Sequence, residues 1–546
     1  MSAPSGSPSG LVLPPVAERT VPEVLALAAA RTPDRVALID PGSSLTYAQV
    51  WDSARRRAGA LLDVVGLGGR VLTMTDNTVD GALTWLGLAS GGMIEVPVNT
   101  AYRGTVLASQ IQHSGATAAV VEADYLDRFL AAARHTAVHT VIVRGKGRAY
   151  PGGITVANSG VLDDADMPVS LPTLTGSDPM ALMYTSGTTG RSKGVVITHA
   201  HAYTYGAPQL LGAADADDTA MVVLPLFHVG GQWAGVYNAL IAGAACYISP
   251  RFSGEAFWEE ARIHSCTYAL LVVAMAQYLN QQPLRPNDSD NTFTRLFIAP
   301  VLREAQQFAA RFEVEIGTGY GSTEAGTVFT ADFGKARPGG CGWPRPELET
   351  RIVDPDDRPL PSGKTGELVV RTSEPAIMMS EYLGLPEETA HAWRGGWYHT
   401  GDAMYVDSDG QYVYVDRLGD AIRRRGENVP SADVESALNA HPAVLECAVV
   451  GVPGESEHEV LAAVVLRQGH ELDRAELIVW VAEGLPHIMV PRYIRVVDEL
   501  ERTPSGKIRK RPLRENGVGE AWDREAWDRE AADIHVGRHG VRIGGS

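Results

Sequence analysis

Cysteine is scarce in this chain. Four residues, Cys246, Cys266, Cys341 and Cys447, are spread over 546 positions. No two stand at metal-ligand spacing, so a disulfide framework and a cysteine-held metal centre are excluded. Reduced, buried thiols in a cytoplasmic protein are expected instead. Positive charge is in deficit as well. Lys and Arg number 47 against 65 Asp and Glu, a net charge of −18 at pH 7. Such a balance speaks against nucleic acid or a membrane as partner, and any anionic ligand needs cations placed locally. Long apolar runs are missing too. The most membrane-like stretch, residues 220–248, is broken by Pro225, His228, Gln232 and Asn238. It reads as a buried strand–loop–helix–strand rather than a span. The start, MSAPSGSPSGLVLPP, lacks the basic residues and apolar stretch of a secretory signal.

What remains is an ordinary globular composition, 45% apolar and 21% charged, on a chain too long for one core. Residues 1–18 are rich in Ser, Pro and Gly and read as a disordered tail. Helix and strand signals then alternate. Thr20 followed by Pro22 opens a helix, and Thr46 caps another over 47–62. Strand-like segments at 36–39, 71–74, 94–98, 118–121 and 140–143 are separated by such helices. This order predicts an α/β fold, with a large N-terminal domain over 19–416 built on layered, mostly parallel sheets. Near 340–415 the pattern becomes β-rich, with a hairpin in DSDGQYVYVDR. A Gly-containing joint at 417–420 leads into a small α+β C-terminal domain over 421–515. The tail, 516–546, carries EAWDR twice and reads as helical or disordered.

Residues 183–194 read MYTSGTTGRSKG. Thr185, Ser186, Gly187, Thr188, Thr189 and Gly190 lie between two apolar, strand-like runs and are followed by Lys193. Glycines let backbone N–H groups approach an anion, hydroxyls donate further bonds, and the lysine adds charge. A Gly/Ser/Thr run alone is more often a plain loop; the flanking strands and the Lys-Gly pair favour a phosphate cradle. It is not a Walker A motif, because Arg191 and Ser192 separate Gly190 from Lys193.

Here the chain resembles the ANL superfamily of adenylate-forming enzymes. TSGTTGRSKG is similar to that family's phosphate loop, with Ser192 where Pro is usual. GYGSTE (319–324) resembles its adenine and magnesium motif. WYHTGD (397–402) and VDRLGD (415–420) resemble its ribose and hinge motifs, and RTPSGK (502–507) its catalytic lysine loop. The likeness spans residues 20–515. LPLFHVGGQ, RRRGENVPSADVE and MVPRYIRVVDEL look most like acyl-CoA ligases of the crotonobetaine/carnitine branch.

The resemblance implies ATP, Mg²⁺ and coenzyme A as cofactors and a small carboxylic acid as substrate, with a homodimer possible in the family. It implies acid activation as an acyl-adenylate with release of pyrophosphate, then thioester formation. Two anions must meet in such a reaction, so cations and donors aimed at their contact do the work. By itself Lys507 reads as a solvated lysine beside Arg509, Lys510 and Arg511; the family gives it the charge that bridges carboxylate and α-phosphate, on a mobile small domain. Thr323 is expected at the α-phosphate, Glu324 and Thr185 at Mg²⁺, Tyr320 and Gly321 at adenine, and Asp402 and Arg417 at ribose. Gly426, Glu427 and Asn428 would line the thiol's path. Arg423, Arg424 and Arg425 could attract CoA phosphates or form a solvated face. His228, alone a core histidine, is placed by the family at the mouth of the acyl pocket. Trp233, Met275 and Gly317–Gly319 are pocket wall or core. Many relatives carry Gly-Gly-Ala-Pro-Leu where this chain has FIAPVL (297–302), which leaves the acid open. The same scaffold also serves other chemistry: a diazotase joining nitrite to an aryl amine, or transfer of the adenylate to an amine or carrier protein.

Overall fold

The computed structural model describes residues 13–145, 154–185, 193–211, 214–418, 422–424, 427–429, 431–454, 458–502, 508–526, 534–537 and 540–543. The chain divides into two compact units. The first comprises Met1–Arg351, Val369–Thr400 and Val406–Val413; the second comprises Ile352–Leu368, Gly401–Tyr405 and Tyr414–Ser546. The division runs through the strands Leu348–Val353, Gly366–Thr372, Tyr398–Val406 and Tyr412–Arg417.

In the first unit, helices begin where short polar side chains satisfy free N–H groups. Thr20 accepts from Glu23 N ahead of Val21–Arg31, with Pro22 in the first turn. Thr46 and Gln49 cap Tyr47–Val65 reciprocally. Thr78 accepts from Gly81 N at 3.0 Å ahead of Val79–Ser90. Each such cap contributes about 1 kcal/mol. The strands between them are rich in Val, Ile and Leu and buried on both faces, which suits parallel sheets covered by helices.

Two sheets result. The first runs Thr155–Asn158, Thr140–Arg144, Ala118–Glu122, Arg70–Met74, Ile94–Pro97, Pro179–Thr185, Lys193–Thr198, and only its last pair is antiparallel. The second has a parallel centre in the order Glu315–Ser322, Arg295–Ala299, Tyr268–Val272, Thr219–Val222, Ala245–Ile248, Val36–Asp40. Gly326–Ala331 and Gly340–Pro344 extend it antiparallel past Glu315–Ser322. The α/β architecture read from the alternating pattern is therefore the observed one.

The second unit holds a four-stranded sheet, Val444–Pro453, His458–Leu466, Tyr493–Val496, Trp522–Asp523. The helices Ser431–Asn439 and Arg474–Gly484 contribute Val434, Leu438, Leu477, Ile478 and Val481 to its apolar core. Trp522–Asp523 pairs antiparallel with Tyr493 and Ile494. Part of the tail is thus strand, where helix or disorder was expected. Arg492 holds it through Asp523, at 3.2 Å to each oxygen, and through Glu525. All four cysteines are free and buried. Among the described residues no helix is long and apolar enough to cross a membrane.

Candidate active site

In the first unit, Thr185 ends one strand and pairs with Lys193 at the start of the next. Ser186, Gly187, Thr188, Thr189 and Gly190 lie outside the described residues. The Lys193 ammonium pairs with Glu388 and stands 4.7 Å above the ring of Tyr382. A segment far downstream in the chain, around Tyr382 and Glu388, supplies both partners. It is laid along the lysine's strand by backbone bonds, Val196 N to Glu381 O at 3.0 Å and Leu383 N to Gly194 O at 2.8 Å. The Thr198 hydroxyl donates to Ala376 O at 2.6 Å.

That segment also fixes Glu324. Met379 N donates to the Glu324 carbonyl at 2.8 Å, and the Tyr382 hydroxyl donates to its carboxylate at 3.1 Å. Tyr398 hydrogen-bonds Tyr382 in turn. Burial first, and the Glu324 charge second, push both phenols well above their usual pKa, so they remain neutral donors at pH 7. One carboxylate oxygen of Glu324 is held by this chain, and the other has no partner among the described residues. An oriented, half-exposed carboxylate is what a hard cation such as Mg²⁺ takes.

Glu324 follows the strand Glu315–Ser322, whose register slips between Tyr320 and Gly321. Gly321 is required there, since a Cβ would stand 2.5 Å from the Gly326 carbonyl oxygen. Tyr320 is half-buried, its ring 5.7 Å from that of Phe329, and Thr323 is half-buried beyond it. The strand thus delivers Tyr320, Gly321, Thr323 and Glu324 to its carboxyl end, where open α/β sheets bind ligands.

His228 follows Thr219–Val222 and caps the short helical segment Val229–Gly231, its Nδ1 accepting from Gly230 N at 3.2 Å. Gly231 has no room for a side chain, because a Cβ would lie 2.3 Å from Pro225 O. The next turn is anchored by Gln232, whose amide donates to Glu95 at 2.7 Å; the Thr73 hydroxyl donates to the other Glu95 oxygen at 2.7 Å. Burial pushes the Glu95 carboxyl up to about 7, against these two bonds. Trp233 is fully buried and packs on Tyr205 and His201. Met275 packs against the core around Phe293 and Leu296.

In the second unit, Asp402 is 2% exposed and pairs with Arg417 at 2.9 Å. Gly401 holds φ 71°, and its N–H donates to Glu367 at 3.0 Å. Glu427 and Asn428 lie in a strand paired with Ile422–Arg424; Gly426 and Lys507 lie outside the described residues. Lys510, a sequence neighbour of Lys507, pairs with Glu435 at 2.8 Å and donates to Ser431. Asp416 accepts from the Ser431 N–H and hydroxyl at 2.9 and 2.6 Å, so these groups tie the start of this unit's chain together.

Residues 25–383 match the family model described as AMP-binding enzyme, and residues 433–507 match its C-terminal domain. The chain belongs to the AMP-binding enzyme family. It is 31% identical over 481 residues to a crotonobetaine/carnitine–CoA ligase of Salmonella paratyphi B, covering 86% of this chain and 93% of that protein. A benzoate CoA ligase from Burkholderia xenovorans superposes with a TM-score of 0.81 at 26% identity, over 91% of this chain and 99% of the other. The anthranilate CoA ligase AuaEII, solved with anthranoyl-AMP, shares the fold with a TM-score of 0.82 at 23% identity, over 92% and 98%.

Within this AMP-binding enzyme one expectation is corrected. Arg424 is no surface cation for CoA phosphates: it is 1% exposed, pairs with Glu459 at 2.6 Å, and donates to the carbonyls of Ile488 and Val490. Its charge is used in holding the small sheet. Tyr382 and Glu388 were not found from the sequence, which has no periodic signal there. Tyr398 stands in WYHTGD, a motif whose likeness points to Asp402 and not to the tyrosine's bond with Tyr382.

Proposed function

We propose that this AMP-binding enzyme is an acid–CoA ligase that uses ATP to activate a small carboxylic acid as its acyl-adenylate, releases pyrophosphate, and passes the acyl group to the thiol of CoA. The observation that carries the reading is Glu324, held at a strand end by the Tyr398–Tyr382 chain with Lys193 beside the same tyrosine. A magnesium ion bound there supplies positive charge to the phosphate oxygens as they develop negative charge. Glu324 and Thr185 would hold it, and neutral Tyr382 keeps the Glu324 carboxylate turned toward it.

The remaining roles follow from charge and donor type. Lys193 and the Gly/Ser/Thr residues 185–190 bind the outgoing phosphates. Thr323 donates to the α-phosphate, Tyr320 and Gly321 flank adenine, and Asp402 accepts from the ribose hydroxyls with its carboxylate fixed by Arg417. Lys507 neutralises the approach of carboxylate to phosphorus, which makes it a group felt chiefly in the transition state. His228 stands where the acyl group meets its acceptor, and Gly426, Glu427 and Asn428 line the thiol's path. We place the domain limits at 19–416 and 421–515, with a hinge at 417–420.

The test is pyrophosphate release over short, branched, betaine-like and aromatic acids, each with and without CoA. The expected result is acid- and Mg²⁺-dependent release, with thioester formed only when CoA is added. Release that leaves CoA unacylated with every acid would overturn the acceptor assignment.

A further inference from the structure

The Lys193 ammonium is already engaged: it pairs with Glu388 and lies over the Tyr382 ring. Neither partner comes from its own strand, Lys193–Thr198. Tyr382 is bridged to Val195 of that strand. The Tyr382 backbone N–H donates to the Thr389 hydroxyl at 3.0 Å, and that hydroxyl donates to Leu385 O at 2.8 Å. These bonds dock the helix Pro386–Ala392 on the tyrosine, and Glu388 stands in the helix's first turn. The carboxylate is therefore carried by backbone that is itself fastened to the lysine's strand.

The pair is open to water. The Glu388 side chain is 47% exposed and that of Lys193 22%. Ion pairs of this kind are weak, so an anion carrying several charges can break one. Tyr382 gives the ammonium a surface to turn on, because the attraction of a cation to a ring face does not demand one fixed direction. The two functions of the tyrosine are separate. Its face carries Lys193, while its hydroxyl donates to Glu324. The lysine can change partner without disturbing the carboxylate read above as the metal's.

We propose that Glu388 is a positioning residue that competes with phosphate for the Lys193 ammonium, holding it while the cradle is empty and recapturing it as pyrophosphate leaves. The inference rests on the phosphate-binding reading of Lys193 given above. Phosphate must displace Glu388 before it gains the lysine, so its affinity is lowered in proportion to the fraction of chains in which the pair is made. The loss in binding is a gain in release, since a product held less tightly departs sooner. Removing the carboxylate therefore tightens the hold on pyrophosphate, and it does so only through Lys193.

The experiment titrates inorganic pyrophosphate, with Mg²⁺ present, into the full chain by calorimetry. It compares wild type, Glu388→Gln, Lys193→Met and the double variant. Glu388→Gln should bind pyrophosphate about 5-fold tighter than wild type. In the Lys193→Met background the same change should alter affinity by no more than about 2-fold, because no ammonium is left to compete for. The half-saturating Mg²⁺ concentration for turnover at saturating ATP should stay within about 2-fold in Glu388→Gln; a helix merely shaken loose would free Tyr382 from Glu324 and raise it. Unchanged or weaker pyrophosphate binding in Glu388→Gln, a gain that persists in full without Lys193, or a raised Mg²⁺ requirement overturns the proposal. The expected binding pattern in a chain that turns over no acid supports the role of Glu388 and refutes the acid-activation reading alone. Absence of pyrophosphate binding in both wild type and Glu388→Gln refutes the phosphate cradle and this proposal with it.

Discussion

Glu95 gives the most quantitative prediction. Its carboxyl is buried in the first unit, accepts from Thr73 and Gln232, and is pushed from 4.5 up to about 7 by loss of water. In the unfolded chain it titrates near 4.5. Below that pH both states carry the proton and stability does not depend on it. Between 4.5 and 7 the unfolded chain has lost the proton while the folded chain keeps it, so stability falls as pH rises; above 7 the slope ends. At 1.36 kcal/mol per pH unit the loss totals about 3 kcal/mol. Glu95→Gln cannot ionise and escapes it, at the cost of about 1 kcal/mol for imperfect hydrogen bonding. The variant should therefore be slightly less stable than wild type at pH 4.5 and about 2 kcal/mol more stable at pH 8. Urea unfolding of both proteins at several pH values, followed by tryptophan fluorescence, reads the difference directly. A difference that does not change sign between pH 4.5 and 8 would show that Glu95 is ionised in the folded chain and refute the argument.

Other outcomes are open to direct measurement. Lys507→Ala should lower adenylation ~10²–10³-fold, read as ATP–pyrophosphate exchange, yet spare thioester formation from supplied acyl-adenylate; equal loss in both half-reactions would remove the lysine from the first. Gly426→Trp should spare exchange and block transfer to CoA, as followed by thioester production. Tyr382→Phe deletes the donor to Glu324 and should weaken Mg²⁺ activation ~10-fold or more, seen as a raised half-saturating concentration of the metal. Arg424→Ala leaves Glu459 buried without its closest cation and should destabilise the second unit by about 3 kcal/mol or more, measured by limited proteolysis in urea.

The sequence made the local features plain. Thr20, Thr46 and Thr78 announce helices because a cap acts on residues two or three positions away, and the buried Val/Ile strands between them follow from the same short-range patterning. The site motifs were legible as types, since Gly, Thr, Glu and Lys at fixed spacing have few other uses. What sequence could not show is the company those residues keep. Glu324 and Lys193 both meet Tyr382, a meeting made by backbone bonds that lay the 381–383 segment along Gly194 and Val196, almost 190 residues away in the chain. Arg424 reads in the sequence as a CoA-facing or solvated charge because its partner, Glu459, lies on another element of the second unit.

The two-residue strand Trp522–Asp523 has a practical side. It occupies the hydrogen-bonding edge of Tyr493–Val496, and Arg492 clamps it there. A protein shortened at residue 507, where the match to the C-terminal domain model stops, would leave that edge bare, an invitation to stick to copies of itself. Recombinant versions should keep residues through Glu525 and carry any purification handle at the other terminus.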